Sequence, residues 1–174
     1  MKKIIVYIAL LVSSVVFSQN AFDKLEDKEG VESIVVSKKM FEMMSKVKVD
    51  AKDKEMQQYM NLLKKLDNLK VFTTSNAKIS ADMKATVNSY LKSNPLEELM
   101  RVNGDGKNVK IYVKSGANEN IVRELLMFIE GANMKDASTV VLSLTGNFSL
   151  DEISMLTEKM SLPGGDDLKK ASKK

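Results

Sequence analysis

The spacing of apolar residues changes at Pro95 in this chain of 174 residues. Before Pro95, long stretches carry apolar residues every three or four positions, as amphipathic helices do. After it, short stretches alternate apolar with polar residues and are separated by turn sequences, as antiparallel strands are. Helices mostly in the first half and strands mostly in the second predict an α+β fold.

The first half predicts four helices and two strands. Helices are expected over residues 22–29, after Ser37, over 53–66 and over 79–91, and strands over 31–36 and 69–74. Ser37 is suited to cap the second helix. The apolar residues of that helix recur at helical spacing and are expected to face inward: Met40, Phe41, Met44 and Val47. Pro95 ends the last of the four helices.

The second half predicts a strand meander and a final helix. Strands over 96–103 and 107–114 flank the turn sequence Asn103-Gly104-Asp105-Gly106, and residues 139–145 have strand composition. Residues 121–130 fit a strand or a helix, and a strand is favoured. Ser149 and Glu152 have the spacing of a capping box, so a helix should begin there and end near Met160. Together these elements predict a mostly antiparallel sheet of about six strands, with four to five helices packed mainly on one face.

Residues 1–18, MKKIIVYIALLVSSVVFS, read as an export signal. Two lysines precede an apolar run that is too short to span a bilayer comfortably. We expect cleavage between Ser18 and Gln19, which would place the mature chain in the periplasm or outside the cell. Residues 19–162 are then one α+β domain, and residues 163–174 are expected to be a disordered, lysine-rich tail.

The charge of the chain gives no reason to expect a nucleic acid partner. The chain has 27 basic and 23 acidic residues. Removing the two lysines of the signal and the four of the tail leaves 21 basic residues, so the folded part is close to neutral. Nucleic acid binding needs a basic surface instead. The tail lysines suit a solubilising role, with weak contact to an anionic surface as the alternative: Lys169, Lys170, Lys173 and Lys174.

The chain contains neither histidine nor cysteine. This removes the usual nucleophile and base pairs, the ordinary zinc and copper sites, and disulfide bonds. The sequence also lacks a nucleophile elbow and a phosphate-binding glycine loop. We therefore expect no enzyme, no cofactor and no catalytic, cofactor-binding or metal-binding residues. An active site assembled from distant carboxylates is the alternative.

Three groups of residues could be mistaken for sites. Four carboxylates near the start fit a solvated helix face: Asp23, Glu26, Asp27 and Glu29. The turn at residues 103–106 lacks the distal ligands of a calcium loop. A methionine-rich segment could hold copper(I), and its members are Met40, Met43, Met44, Met56 and Met60. All of these except Met43 fall on stripes expected to face inward as core.

The order of elements, together with two sequence stretches, carries a family resemblance. The stretches are Glu98-Leu99-Met100-Arg101-Val102 and Gly146-Asn147-Phe148-Ser149-Leu150. The chain resembles the exported proteins grouped as domain of unknown function 4252, from residue 22 to about residue 162. The resemblance implies an α+β fold with a mostly antiparallel sheet and an envelope location, and it implies no activity, cofactor or site. Some relatives begin their mature region with a lipidated cysteine, which this chain lacks.

Two functions fit these observations. The first is a non-enzymatic module that binds an envelope protein or peptide. If helices cover one face of the sheet, the open face is the expected binding surface, lined by Ile34, Val36, Phe72 and Tyr112. The second is a periplasmic carrier that holds a lipid or another apolar small molecule between the helices and the sheet.

Overall fold

The computed structural model describes residues 21–104, 106–118, 120–131 and 139–171. Within these residues, six strands are present: β1 (Glu32–Ser37), β2 (Leu66–Thr74), β3 (Glu97–Gly104), β4 (Lys107–Ser115), β5 (Val122–Gly131) and β6 (Thr139–Phe148). The helices are α1 (Lys38–Met44), α2 (Lys54–Leu63), α3 (Ala77–Ser93), α4 (Leu150–Lys159) and α5 (Gly165–Ala171). A single 3₁₀ turn at Asp23–Leu25 precedes β1.

The six strands form one antiparallel sheet in the order β1-β2-β6-β5-β4-β3. Strands β3 to β6 are a meander, so the last strand returns to pair with β2. Helix α3 carries the chain from β2 to the far edge of the sheet. Its 17 residues span about 25 Å, and the four strand spacings between β2 and β3 amount to about 19 Å. One helix is therefore long enough for this crossing.

Helices lie on both faces of the sheet. The larger core lies between the sheet and α1, α2, α4 and α5, and contains Phe41, Leu62 and Ile153. The smaller core lies between the sheet and α3 together with the 3₁₀ turn, and contains Phe72 and Met83. Four of the five helices thus share one face. The predicted six-stranded antiparallel sheet, the helices mainly on one face, the meander and the final helix are confirmed.

Local sequence signals account for several element boundaries. The hydroxyl of Ser37 accepts a hydrogen bond from the backbone N–H of Met40, which begins α1 as predicted. Ser149 and Glu152 form the predicted capping box of α4, in which the Ser149 N–H donates to Glu152 Oε2 at 2.9 Å. Residues 121–130, which fit both a strand and a helix, form β5. The favoured interpretation as a strand is confirmed.

Two predicted helices are shorter than their sequence patterns indicate. The helix expected over 22–29 is only the 3₁₀ turn, although Phe22 and Leu25 are buried on one side as predicted. The helix expected over 53–66 ends at Leu63, because Leu66 instead pairs with Gly146 as the first residue of β2. Leu66 continues the helical spacing, but strand pairing with a distant part of the chain determines its conformation.

The predicted disordered tail is wrong for residues 165–171, which form α5. Leu168 is buried against the larger core, and the buried carboxylate of Asp167 forms an ion pair with Lys107. One leucine and one paired carboxylate thus dock a segment whose composition is otherwise typical of disorder. Residues 172–174 and the predicted export signal lie outside the described residues.

Replacing Gly146 with alanine should lower the free energy of unfolding by about 1 to 3 kcal/mol. A Cβ atom at this position would lie 2.5 Å from the carbonyl oxygen of Lys65 and 3.0 Å from the Cα of Leu66. Both are backbone atoms, so the junction between α2 and β2 or strand β6 has to move. Urea denaturation of Gly146→Ala and wild type measures the difference.

Gly104→Ala is the matched control, because nothing lies within 4 Å of a Cβ at position 104. This change should alter the free energy of unfolding by less than about 1 kcal/mol. Equal destabilisation by the two substitutions would contradict the close approach at Gly146.

Candidate interaction surface

The most exposed large apolar side chains gather at one edge of the sheet. Among the described residues they are Ile34 (49% exposed), Val35 (45%), Met40 (50%), Met43 (57%), Val47 (60%) and Leu99 (38%). All but Leu99 belong to β1, α1 and the residues just after α1. We call these five side chains, together with the free edge of β1, the β1–α1 surface. Exposed apolar side chains are ordinary singly, but a cluster of them marks an interaction site.

Strand β1 supplies the backbone part of this surface. Within the described residues it pairs only with β2, so its other edge carries backbone N–H and C=O groups without a neighbouring strand. Ile34 lies opposite Val71 and therefore faces the larger core, whereas Val35 lies opposite Lys70 and faces the α3 side. The edge thus offers an apolar side chain on each face of the sheet.

Helix α1 follows β1 without a loop, which brings its side chains next to the edge. Phe41 is fully buried and anchors the helix on the larger core. At 100° per residue, Met40 lies about 100° and Met43 about 160° from Phe41 around the helix axis, so neither can share its inward position. Lys38 Nζ donates to Asp67 Oδ1 at 2.8 Å, and this hydrogen bond raises the pKa of Lys38. The start of α1 is thereby tied to β2.

On the α3 side, the surface is bordered by charged groups. Lys70, opposite Val35, donates hydrogen bonds to Asp23 and Glu26 of the 3₁₀ turn. Burial by itself lowers the pKa of Lys70, but these bonds outweigh it and hold the pKa above its ordinary value. Two carboxylates of the predicted solvated face therefore form ion pairs with the sheet. On the α3 side of the sheet, apolar contacts with a partner are therefore limited to the vicinity of Val35.

The opposite edge, β3, is built differently. Arg101 makes a bidentate ion pair with Glu98, through Nε to Oε1 at 2.9 Å and Nη2 to Oε2 at 2.6 Å. This pairing holds the pKa of Glu98 below its ordinary value. The register of β3 against β4 shifts between Glu98 and Met100, so the edge is irregular at Leu99. Charges and a bulge are devices that prevent a further strand from adding to an edge.

The predicted open face of the sheet does not exist as one surface. Ile34 and Val36 face the larger core, whereas Phe72 and Tyr112 face the α3 side. Phe72 is fully buried under α3, and Val36 is buried as well. The prediction was wrong because the face that a residue takes depends on the register of its strand, and residues of different strands were assigned to one face without it. Ile34 alone among these four is well exposed.

The predicted inward stripe of α1 is wrong for Met40 and Val47. Both are at least half exposed, and only Phe41 and Met44 pack on the larger core. The helix has seven residues, so Val47 lies beyond its end, at Met44. Sequence reasoning thereby missed the β1–α1 surface. The signal available in the sequence was the spacing of Met40 and Met43 from Phe41, which turns both methionines away from the inward side of the helix.

The prediction that Met56 and Met60 belong to the core is confirmed in part, since both pack against the larger core while partly exposed.

Two concavities open on the helical layer. A groove of about 670 Å³ lies between α2 and α4, where the side chains of Leu62 and Met155 are flanked by the Lys65 and Glu152 ion pair. A cleft of about 420 Å³ lies between α4 and α5 beside Lys107.

In the described part of the chain, no cluster of three or more His, Cys, Asp or Glu side chains could hold a metal ion. None of its helices is long and apolar enough to cross a membrane.

The family model described as "Domain of unknown function (DUF4252)" matches residues 22–156. This chain belongs to that family. No curated protein and no solved structure matches it. In this DUF4252 chain, the two stretches that carry the resemblance have structural positions. Residues 98–102 form the bulged edge strand β3, and residues 146–150 form the junction of β6 with α4.

The stability of this DUF4252 chain depends on pH through Glu152, which lies at the α2–α4 groove. Burial by itself raises the pKa of Glu152, but hydrogen bonds from Lys65 and Ser149 outweigh it, so the pKa is lowered. A folded-state pKa below the unfolded value of about 4.3 contributes stability above pH 4.3, and this contribution is lost as the pH falls through the folded-state pKa.

Glu152→Gln should therefore lower the free energy of unfolding at pH 7 by about 0.5 to 1 kcal/mol, with the difference from wild type shrinking as the pH falls below about 4.3. Urea denaturation across pH 3 to 7 measures it. Glu158→Gln, an exposed carboxylate in the last turn of the same helix, is the control and should change stability by less than about 0.5 kcal/mol. A difference at Glu152 that persists at pH 3 would contradict the role of its charge.

Proposed function

We propose that this chain is an exported, non-enzymatic module of the cell envelope that binds an extended segment of a protein partner along β1. The observation that carries the proposal is the coincidence of a free strand edge with exposed apolar side chains on both faces of that edge. Backbone hydrogen bonds supply affinity when a strand is added to a sheet, and alternate side chains supply specificity. The β1–α1 surface offers both.

The energies involved suit reversible binding. Full burial of a Val, Ile or Met side chain contributes about 1.5 to 3 kcal/mol, and the side chains of the β1–α1 surface are about half exposed. Covering each one therefore contributes about 1 kcal/mol. A partner that covers three or four of them and pairs with β1 can overcome part of the entropy cost of association, which gives a weak to moderate complex.

Export and the absence of catalysis remain parts of this proposal. Export is supported by the sequence of residues 1–18, which has a basic start followed by an apolar run. A non-enzymatic role is supported by the lack of histidine and cysteine and of recognisable catalytic motifs. The near-neutral body of the chain favours a protein partner over a nucleic acid.

A photoreactive benzophenone side chain in place of Val35 tests the proposal in the native host. Irradiation should produce a discrete adduct, because an added strand lies within contact distance of position 35. The same side chain in place of Leu99, on the blocked edge, should produce little or none. Mass spectrometry of the adduct identifies the partner and the segment that was in contact.

A second variant separates binding from chance contact. In this variant the photoreactive side chain replaces Met40. The adduct should persist when Leu99→Lys is added, because that charge lies on the other edge of the sheet. It should disappear when Val35→Lys is added, because that charge lies on the binding edge. Adducts of equal yield at positions 35 and 99, or no adduct at position 35, would contradict binding along β1.

The α2–α4 groove supports a second candidate, a carrier of a lipid or another apolar molecule. The groove encloses about 670 Å³, and its apolar part includes Leu62 and Met155, whose flexible thioether adapts to irregular guests. It opens on the helical layer, whereas the carrier hypothesis expects a site between the helices and the sheet.

Carrier function predicts that fatty acids or phospholipids raise the melting temperature of the full chain. Met155→Trp, which fills the groove, should abolish the shift, whereas Asn88→Trp on the exposed side of α3 should preserve it. The absence of a shift with wild type across a panel of both lipid classes would rule this candidate out.

A further inference from the structure

The sequence around β1 is close to self-complementary about Val35. Serines lie two positions away on either side, at Ser33 and Ser37. Apolar branched residues, Ile34 and Val36, lie one position away on either side. Three positions away, acidic Glu32 corresponds to basic Lys38, which is followed by a second lysine. When two such strands pair antiparallel about Val35, each residue from Ser33 to Ser37 lies opposite a residue of matching type in the other copy.

We propose that the strand added to β1 is β1 of a second copy of this chain, paired antiparallel about Val35. This inference rests on the proposed function, in which β1 accepts a strand, and it names the partner. The two-fold axis runs perpendicular to the sheet, so both copies keep their helices on the same side. Each copy offers the same patch to the other, which is the isologous arrangement of a closed dimer. The two sheets join into one sheet of twelve strands.

Face geometry restricts the possible registers. Residues directly opposite one another in an antiparallel pair lie on the same face of the sheet, whereas adjacent residues of one strand lie on opposite faces. The two-fold axis must therefore be centred on one residue of β1 and not between two adjacent residues. With the axis at Val35, Val35 pairs with itself, Ile34 pairs with Val36, and Ser33 pairs with Ser37. Glu32, at the start of β1, lies beyond this run, because β1 ends at Ser37 and Lys38 already belongs to α1. Apolar residues thus meet apolar ones, and serines meet serines at both ends.

The neighbouring registers fit poorly. With the axis at Ile34, Val35 would lie opposite Ser33, and Val36 opposite the charged Glu32. With the axis at Val36, Val35 would lie opposite Ser37, and Ile34 would have no strand residue opposite it, because β1 ends at Ser37. Only the register centred on Val35 places every apolar residue of β1 opposite another apolar residue. Apolar matching therefore selects this register.

The surrounding structure allows this approach. On the face of Ile34, helix α1 lies beside the edge with Met40 and Met43 exposed, so the α1 helices of the two copies flank the new strand pair with apolar side chains. On the other face, Ser33 Oγ donates to the carbonyl oxygen of Glu26, which keeps the 3₁₀ turn on the inner side of β1. Val35 then lies at the axis on that face.

Cysteine crosslinking tests the register directly, because the chain has no cysteine of its own. In the proposed dimer the Cβ atoms at position 35 lie about 5 Å apart. Val35→Cys should therefore form a dimer with a short bismaleimide reagent, in intact cells of the native host and in the purified full chain. Residues 33 of the two copies are offset by four positions, or about 13 Å. Ser33→Cys should not be crosslinked by the same reagent.

The double variant Ser33→Cys with Ser37→Cys restores proximity, because these two positions lie opposite one another in the proposed register. It should crosslink as readily as Val35→Cys. Efficient crosslinking of Ser33→Cys alone, or failure of Val35→Cys to crosslink, would overturn the register.

The mass of the purified full chain gives an independent readout. Light scattering should give twice the monomer mass for wild type and for Leu99→Lys, and the monomer mass for Val35→Lys. At protein concentrations low enough for all three to be monomeric, they should melt at similar temperatures, because both positions are exposed. A monomeric wild type would overturn the second copy as partner.

The photoreactive adduct at position 35 separates the two proposals. An adduct with a different protein, in a chain that is monomeric, would leave strand addition along β1 standing and refute self-pairing. No adduct and no dimer would refute both. An adduct whose partner is this same chain, contacted within residues 32–38, would support both.

Discussion

Strands β2 and β6 pair over eight residue positions in the interior of the sheet, and this pairing joins the first half of the chain to the C-terminal meander. It begins at Leu66 and Gly146, where only a glycine allows β6 to approach the backbone of Lys65. The Asn147 N–H donates to the Lys65 carbonyl oxygen at 2.8 Å at the same point. Because β6 pairs with the side of β2 away from β1, the meander extends away from β1, and no strand among the described residues pairs with the outer edge of β1.

The two edges of the sheet, β1 and β3, each pair with one strand among the described residues, yet their side chains differ. The β3 edge has a bulge and the Arg101 and Glu98 ion pair, which disfavour a further strand. The β1 edge has a charged residue only at its first position, Glu32, and an uncharged run follows it. An uncharged edge strand is a hazard for uncontrolled association unless something covers it. The contrast between the edges is therefore an argument for a specific occupant of β1.

Much of the fold could be predicted from the sequence, because most elements obey local rules. Ser37 and the Ser149 and Glu152 capping box determine where helices begin, and alternation determines β4. The interaction surface could not be predicted, because it depends on strand order and on which face each residue takes. Val35 is an edge residue because β1 pairs with β2 alone among the described strands. The helix α5 was missed for a similar reason, since Leu168 and Asp167 are ordered by contacts with distant residues.

A molecule with one open edge and one blocked edge has limited ways to associate through its sheet. If both edges were open, each added copy would present a new edge, and the sheet could grow into a fibre. With β3 blocked, pairing through β1 uses the open edge of both copies and leaves only blocked edges outside. The six residues of β1 and a few side chains of α1 form a small interface, which is typical of reversible complexes. Self-pairing about Val35 would thus cover the exposed edge and end the assembly at two copies, while another protein segment could still displace one copy when it pairs more strongly with β1.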